Sequence, residues 1–176
     1  GMRASPIRID EATAADTAAI RAVVEEAFGQ PAEADLVEAL AAGGHAVLSL
    51  VARADDTVVG HLLFSRLAVA PQPAGTGTML RATVLAPLSV RPDLQRRGIG
   101  TRLVREGLAR LEAAGEDLVM VLGDPAYYAR FGFRPGRPDR IRTPWPVPEN
   151  QWLALADGPL PLRLELAYPA PFTAFA

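Results

Sequence analysis

The run Leu88-Ser89-Val90-Arg91-Pro92-Asp93-Leu94-Gln95-Arg96-Arg97-Gly98-Ile99-Gly100-Thr101 reads as a strand, a tight turn and the glycine-bearing start of a helix. Pro92 closes the strand, because proline cannot continue a central ladder. Helical spacing follows, with Ile99, Leu103, Val104, Leu108 and Leu111 on one face and Arg102, Arg105, Glu106, Arg110 and Glu112 elsewhere. Gly115 is a natural stop for that helix. A helix start carries N–H groups without intrahelical acceptors and the positive end of the peptide dipole, so it suits an anion such as pyrophosphate. Gly98 and Gly100 let a ligand approach the backbone closely, and Arg96 and Arg97 add cationic donors. The same residues also have a plain structural reading, with glycines shaping the turn and arginines solvated.

Working outward from this run, the upstream pattern predicts a strand over Ile7–Asp10 and a capping box at Thr13-Ala14-Ala15-Asp16. A helix follows through Ile20, Val23, Val24, Ala27 and Phe28 until Gly29 and Pro31, and a second spans Glu33–Ala42, burying Leu36, Val37 and Leu40. Ala46–Arg53 and Val58–Leu67 read as a hairpin around Ala54-Asp55-Asp56-Thr57. Pro71–Gly77 reads as a loop, and Met79–Val90 as a long apolar strand. Downstream, Asp117–Leu122 is a buried strand, and Asp124-Pro125 has the form of an N-cap followed by proline at the first helical position, opening a short helix through Arg130. Arg134–Pro148, with five prolines, reads as an irregular crossing loop. Trp152–Ala156 and Leu162–Tyr168 read as a closing hairpin around Gly158-Pro159.

Composition excludes whole classes of chemistry. The 176 residues suit one domain, with 49% hydrophobic and 22% charged residues as in a folded globular protein. There is no cysteine, and all 18 basic residues are arginines. A thiol nucleophile, a disulfide framework, a lysine Schiff base and a lysine-bearing phosphate loop are therefore impossible. Two histidines, His45 and His61, are too few for a histidine-rich metal centre, so no metal is expected. A net charge of -2 gives no warrant for a nucleic-acid partner. The apolar runs are broken by Arg66, Arg81 and Arg91, so no membrane span is expected. Gly1-Met2-Arg3 leads into a polar stretch without a signal-peptide core, and the expected location is cytoplasmic.

A second element stands some thirty positions after the glycine run. Gly123-Asp124-Pro125-Ala126-Tyr127-Tyr128-Ala129-Arg130-Phe131-Gly132-Phe133 places two tyrosines on a one-turn helix directly after a buried strand. Gln95-x-x-Gly98-x-Gly100 and Tyr128-x-x-x-Gly132-Phe133, taken together, resemble the GNAT superfamily of acyl-CoA-dependent N-acetyltransferases. Ala86-Pro87-Leu88-Ser89-Val90 and Val121-Leu122-Gly123-Asp124-Pro125-Ala126-Tyr127-Tyr128 resemble a bacterial subgroup of it. The resemblance implies an α/β (α+β) fold of the GNAT type: a mixed, mostly antiparallel sheet with a splayed central strand pair, flanked by helices, in one domain over residues 3–176.

The roles that follow are those the resemblance implies. The backbone amides of Arg96, Arg97, Gly98, Ile99, Gly100 and Thr101 would hold the pyrophosphate of acetyl-CoA, with Gln95 opening the loop. Leu88, Ser89 and Val90 would pair with the pantetheine arm, and an amide there would face the thioester carbonyl, where a donor aimed at developing charge is worth about 3–4 kcal/mol. Tyr128 takes the general acid's position; read from the residues alone, an aromatic packing under the loop is the plain alternative, and Tyr127 is expected to fill that place. The base is open. The strand Met79–Val90 has no acid where some relatives carry a glutamate. Asp124 reads more as an N-cap than as a base, His61 more as a core residue, and Glu33, Asp35, Glu149 or a water relay are further choices. An asparagine that many relatives carry before the tyrosine is replaced at Val121. The acetyl acceptor would be an amine of a small molecule or peptide. A non-catalytic acyl-CoA-binding module and a nucleotide phosphotransferase are the competing readings, and the chain is expected as a monomer or homodimer.

Overall fold

A computed structural model describes residues 6–72, 80–136, 139–145, 149–156 and 163–175. The chain divides into two compact units: the residues up to Phe64 with Pro87–Gly107, and Ser65–Ala86 with the residues from Leu108 onward. Strands β3 (Thr57–Gln72) and β4 (Ala82–Val90) and helix α3 (Ile99–Ala113) contribute residues to both.

In the first unit, β1 (Ile7–Glu11) lies antiparallel to β2 (Ala46–Ala54), from Ile7 opposite Ala54 to Glu11 opposite Leu50. β2 turns into β3 through Asp55-Asp56, with Asp55 left-handed at φ 53°. The expected capping box is present: the Thr13 N–H donates to Asp16 Oδ2 at 2.9 Å, ahead of a 3-10 turn and α1 (Thr17–Phe28). Asp16 serves two masters, since Arg53 on β2 also donates to both its oxygens at 2.9 and 2.8 Å. That hydrogen bonding, chiefly from Arg53, holds the carboxyl below its ordinary range. Gly29, at φ 69°, ends α1. α2 (Ala32–Ala42) is tied to α1 by Arg21, which reaches Asp35 at 2.8 Å and Glu38 at 2.9 Å. Ile20, Val23 and Val24 of α1 and Leu36, Val37 and Leu40 of α2 are buried, as their spacing predicts.

Gly107 lies where α3 presses on the sheet. A Cβ there would stand 2.5 Å from Cε2 of Phe64, which is itself wholly buried. The ring has nowhere to retreat, so overpacking outweighs the helix propensity a side chain would add. Gly107→Val is expected to lower the unfolding free energy by about 2 kcal/mol, read by urea denaturation, with an unchanged midpoint contradicting this packing.

The second unit centres on β5 (Leu118–Leu122), four of whose five residues are buried. β5 pairs in parallel with β4, from Ala82 opposite Leu118 to Leu85 opposite Val121, and β4 then runs on to Val90. A parallel pair needs a long crossover, which α3 supplies. On its other side β5 pairs antiparallel with β8 (Asn150–Ala154). Glu116, just before β5, is buried and accepts from Arg66 at 2.5 and 3.0 Å and from Arg81 at 2.8 Å. Burial pushes its pKa up, but the two guanidinium partners outweigh this and leave the carboxyl below its usual range. With β4–β5 and the short pair β7 (Ile141–Arg142) and β9 (Arg163–Ala167) parallel, and β1–β2, β3–β9, β5–β8 and the pair β6 (Arg134–Pro135) and β8 antiparallel, strand pairing is mixed and mostly antiparallel, as expected.

Four expectations need correction. The Arg134–Pro148 segment is not wholly irregular, because β6 (Arg134–Pro135) pairs with β8 and β7 (Ile141–Arg142) with β9. β8 and β9 (Arg163–Ala167) do not form the closing hairpin. β9 instead lies antiparallel to the far end of β3, from Ala68 opposite Ala167, where its alternating Leu164 and Leu166 are buried. β4 begins at Ala82 rather than Met79, with Arg81 turned to Glu116 and Asp117. The expected loop Pro71–Gly77 loses its first two residues to β3, which runs on through Pro71 and Gln72 in its ladder with β9. Residues 73–77, Met79 and Gly158-Pro159 lie outside the described residues.

Candidate active site

In the first unit the end of β4 is fastened before the chain turns. The Arg91 N–H donates to the Val59 carbonyl at 2.9 Å, and the Arg91 guanidinium clasps Asp93 through bonds of 2.7 and 2.8 Å. Pro92–Leu94 forms a 3-10 turn. Gln95 Nε2 then donates back to the Val90 carbonyl at 3.0 Å. This residue, expected to open the loop, braces the loop against the strand it leaves.

Two left-handed residues follow in close succession, Arg96 at φ 64° and Gly98 at φ 81°. Left-handed conformations set among right-handed ones gather successive N–H groups into a concave nest that favours anions. For arginine such a φ is uncommon and costs free energy, a kind of strain that clusters at ligand sites. Gly98 is the N-cap of α3, its carbonyl accepting the first helical bond from the Arg102 N–H at 3.0 Å. Helix geometry leaves the N–H groups of Ile99 and Gly100 without an acceptor inside the helix. Arg96, Arg97 and Gly98 are exposed, Ile99 is buried, and Gly100 and Thr101 are intermediate. A Cβ built on Gly98 meets nothing within 4 Å, so open space lies over the loop backbone. Leu88, Ser89 and Val90 precede the loop on β4, beyond the last residue paired with β5. Ser89 is buried, and its hydroxyl has no partner among the described residues.

Tyr128 and Asp124 belong to the second unit. Asp124 Oδ1 accepts from the Ala126 N–H at 3.0 Å, so Asp124 is the N-cap of α4 (Pro125–Tyr128), with Pro125 in the first turn. The helix tightens into a 3-10 turn and ends at Gly132, φ 95°. Tyr128 is buried among aromatic rings, edge-on to Tyr127 at 5.0 Å and to Phe133 at 5.7 Å. Arg130 lies over the Tyr127 ring at 4.5 Å, and Tyr127 is only partly buried where Tyr128 is buried, so the expectation that Tyr127 is the packing member of the pair is not met: both rings pack. Burial, with a smaller contribution from Tyr127, pushes the Tyr128 phenol well above its ordinary pKa of 10.0. It keeps its proton at neutral pH.

The other proposed bases are spread over the chain. His61 is wholly buried on β3, with Nε2 2.9 Å from Ser49 Oγ. Glu33 is held by Gln30 Nε2, 2.9 Å from each oxygen, and Asp35 by Arg21. Glu149 is exposed, and its backbone carbonyl accepts from the Gly123 N–H at 3.1 Å. Among the described residues no cluster of three or more His, Asp or Glu is suited to a metal, and no helix is long and apolar enough to cross a membrane. Sequence reasoning missed what Gly123 does. A Cβ there would fall 2.6 Å from Tyr128 Cε2, so the ring lies on the bare face of the glycine. Its place between strand end and Asp-Pro was the only signal.

Comparison with known proteins places the chain among related acetyltransferases. The family described as acetyltransferase (GNAT) domain matches residues 8–136. The uncharacterized N-acetyltransferase YjhQ of Escherichia coli (strain K12) is 41% identical over 138 residues, 77% of this chain and 74% of that protein. The crystal structure of the GNAT family N-acetyltransferase YhbS from Escherichia coli in complex with CoA is similar at a TM-score of 0.84 and 34% identity, covering 100% of this chain and 97% of that one. A GNAT family acetyltransferase from Brucella melitensis, in complex with acetyl-CoA, has a TM-score of 0.75 and 36% identity, with 95% and 98% of the two chains covered.

Proposed function

The chain belongs to the GNAT acetyltransferase family, and from that premise we propose that it moves an acetyl group from acetyl-CoA directly onto a primary amine of a small molecule or peptide. The observation that carries this reading is the paired left-handed turn at Arg96 and Gly98, opening α3 beneath clear space. The loop amides from Arg96 to Thr101 are the pyrophosphate site in this reading, with Arg96 and Arg97 adding charge. Two relatives whose structures contain CoA or acetyl-CoA support the choice of donor.

The mechanism follows from the chemistry of these residues. The backbone of Leu88, Ser89 and Val90 aligns the pantetheine arm, and an N–H there polarises the thioester carbonyl as charge builds on its oxygen. The amine nitrogen bonds to the carbonyl carbon while the carbon–sulfur bond breaks. Tyr128 donates its phenolic hydrogen to the departing sulfur, and the surplus amine proton, released to water, restores the phenol, so the products are the amide and CoA thiol with Tyr128 protonated again. With no cysteine in the chain, no acetyl-cysteine forms. Asp124 stays the helix cap.

Calorimetry with CoA and free-thiol release from acetyl-CoA over a panel of amines test the proposal. CoA is expected to bind, and at least one amine to support turnover. Gly98→Val forces a β-branched residue into a left-handed conformation without touching a neighbour, and is expected to weaken CoA about tenfold while the fold survives. Absence of CoA binding would sink the donor site. Binding without turnover on any amine would leave a non-catalytic acyl-CoA-binding module.

A further inference from the structure

Gln151 sits on β8 opposite Val121 and is buried. Its side-chain amide donates to the Gly123 carbonyl at 3.3 Å and to the Glu149 carbonyl at 3.3 Å. The Gly123 N–H donates to that same Glu149 carbonyl at 3.1 Å. Both polar groups of Gly123 are thus held from the start of β8, and the glycine's bare face is the bed of the Tyr128 ring. We propose that Gln151 is a positioning residue for Tyr128: through Gly123 it sets where the phenol points. This rests on Tyr128 as the acid. A short helix such as α4, with a single capping bond from Asp124, does little to aim a side chain by itself. A buried amide bonded to two carbonyls fixes the corner from a neighbouring strand, and small displacements of a catalytic group are costly in rate.

Gln151→Met removes the donor while keeping length and apolar volume, and Gly123→Ala disturbs the same contact from the ring side, should the first variant fold poorly. The chain has three tyrosines, so ring-labelled tyrosine gives a spectrum assignable by single Phe substitutions. The Tyr128 resonance is expected to move and that of Tyr168 to stay. Turnover number is expected to fall about tenfold at unchanged KM for acetyl-CoA, with no further fall when Gln151→Met is added to Tyr128→Phe. An unmoved Tyr128 resonance overturns the positioning role, as does a loss that persists in the Tyr128→Phe background. A moved resonance with full turnover in Tyr128→Phe upholds the positioning and rejects the acid role instead.

Discussion

Tyr128→Phe is expected to lower kcat about a hundredfold, with KM for acetyl-CoA nearly unchanged. The substitution removes one oxygen and leaves the ring on Gly123 and against Tyr127 and Phe133, so fold and cofactor loop are preserved. What disappears is a donor to sulfur, an interaction that strengthens only as the carbon–sulfur bond breaks. Such a loss falls on kcat rather than on binding. The pH profile carries the same information. A general acid works while protonated, and the Tyr128 pKa is raised above 10.0, so no phenol limb is expected in kcat up to pH 10. Steady-state thiol release from pH 7 to 10 makes both measurements. Full turnover in the variant would remove Tyr128 from the chemistry.

Stability is expected to fall by about 3 kcal/mol between pH 6.5 and pH 4 because of His61 alone. Burial lowers the His61 pKa from 6.5 to about 4. In that window the unfolded chain binds a proton that the folded one refuses, so each pH unit of acidification costs about 1.4 kcal/mol. Above pH 6.5 neither state is protonated and the contribution is flat. Asp16 and Glu116 have lowered pKa values, and their contribution, present above the ordinary carboxylate values of 3.8 and 4.5, begins to fall only at the acid end of the window and is lost as pH drops on through their folded pKa. Urea denaturation at pH 7, 6, 5 and 4 reads the slope, and His61→Gln should flatten it. An equal slope in the variant would mean that the proton goes elsewhere. The same burial makes His61 a core residue rather than a base, since its Nε2 is engaged by Ser49 and the ring has no exposed surface.

Much of the fold is legible because its determinants are local. The Thr13–Asp16 capping box, the stop at Gly29, the Asp124-Pro125 start and the apolar stripe of α3 each lie within a few residues of what they control. The turn from β4 into α3, where the cofactor loop is proposed, is legible for the same reason, as strand, proline turn and glycine pair are contiguous. Failures came where the partner is distant. Trp152–Ala156 and Leu162–Tyr168 look like a hairpin because they flank Gly158-Pro159 and the second alternates, yet their partners are β5 and β3. Nothing near Gln95 shows that its amide turns back to Val90.

By itself, then, the sequence determined the order and kind of most elements, the family resemblance, the strand, turn and glycine-bearing helix start over residues 88–101, and the exclusion of thiol and lysine chemistry. Tertiary structure alone decided how Asp16 is shared with Arg53, why Glu116 stays charged between Arg66 and Arg81, and that Gly123 carries the Tyr128 ring under restraint from Gln151. The physical reason is one of range. Caps, turns and periodicity act through backbone geometry over one or two turns of chain, whereas ion pairs and ring beds depend on sheet register, which brings together residues 28 to 50 positions apart.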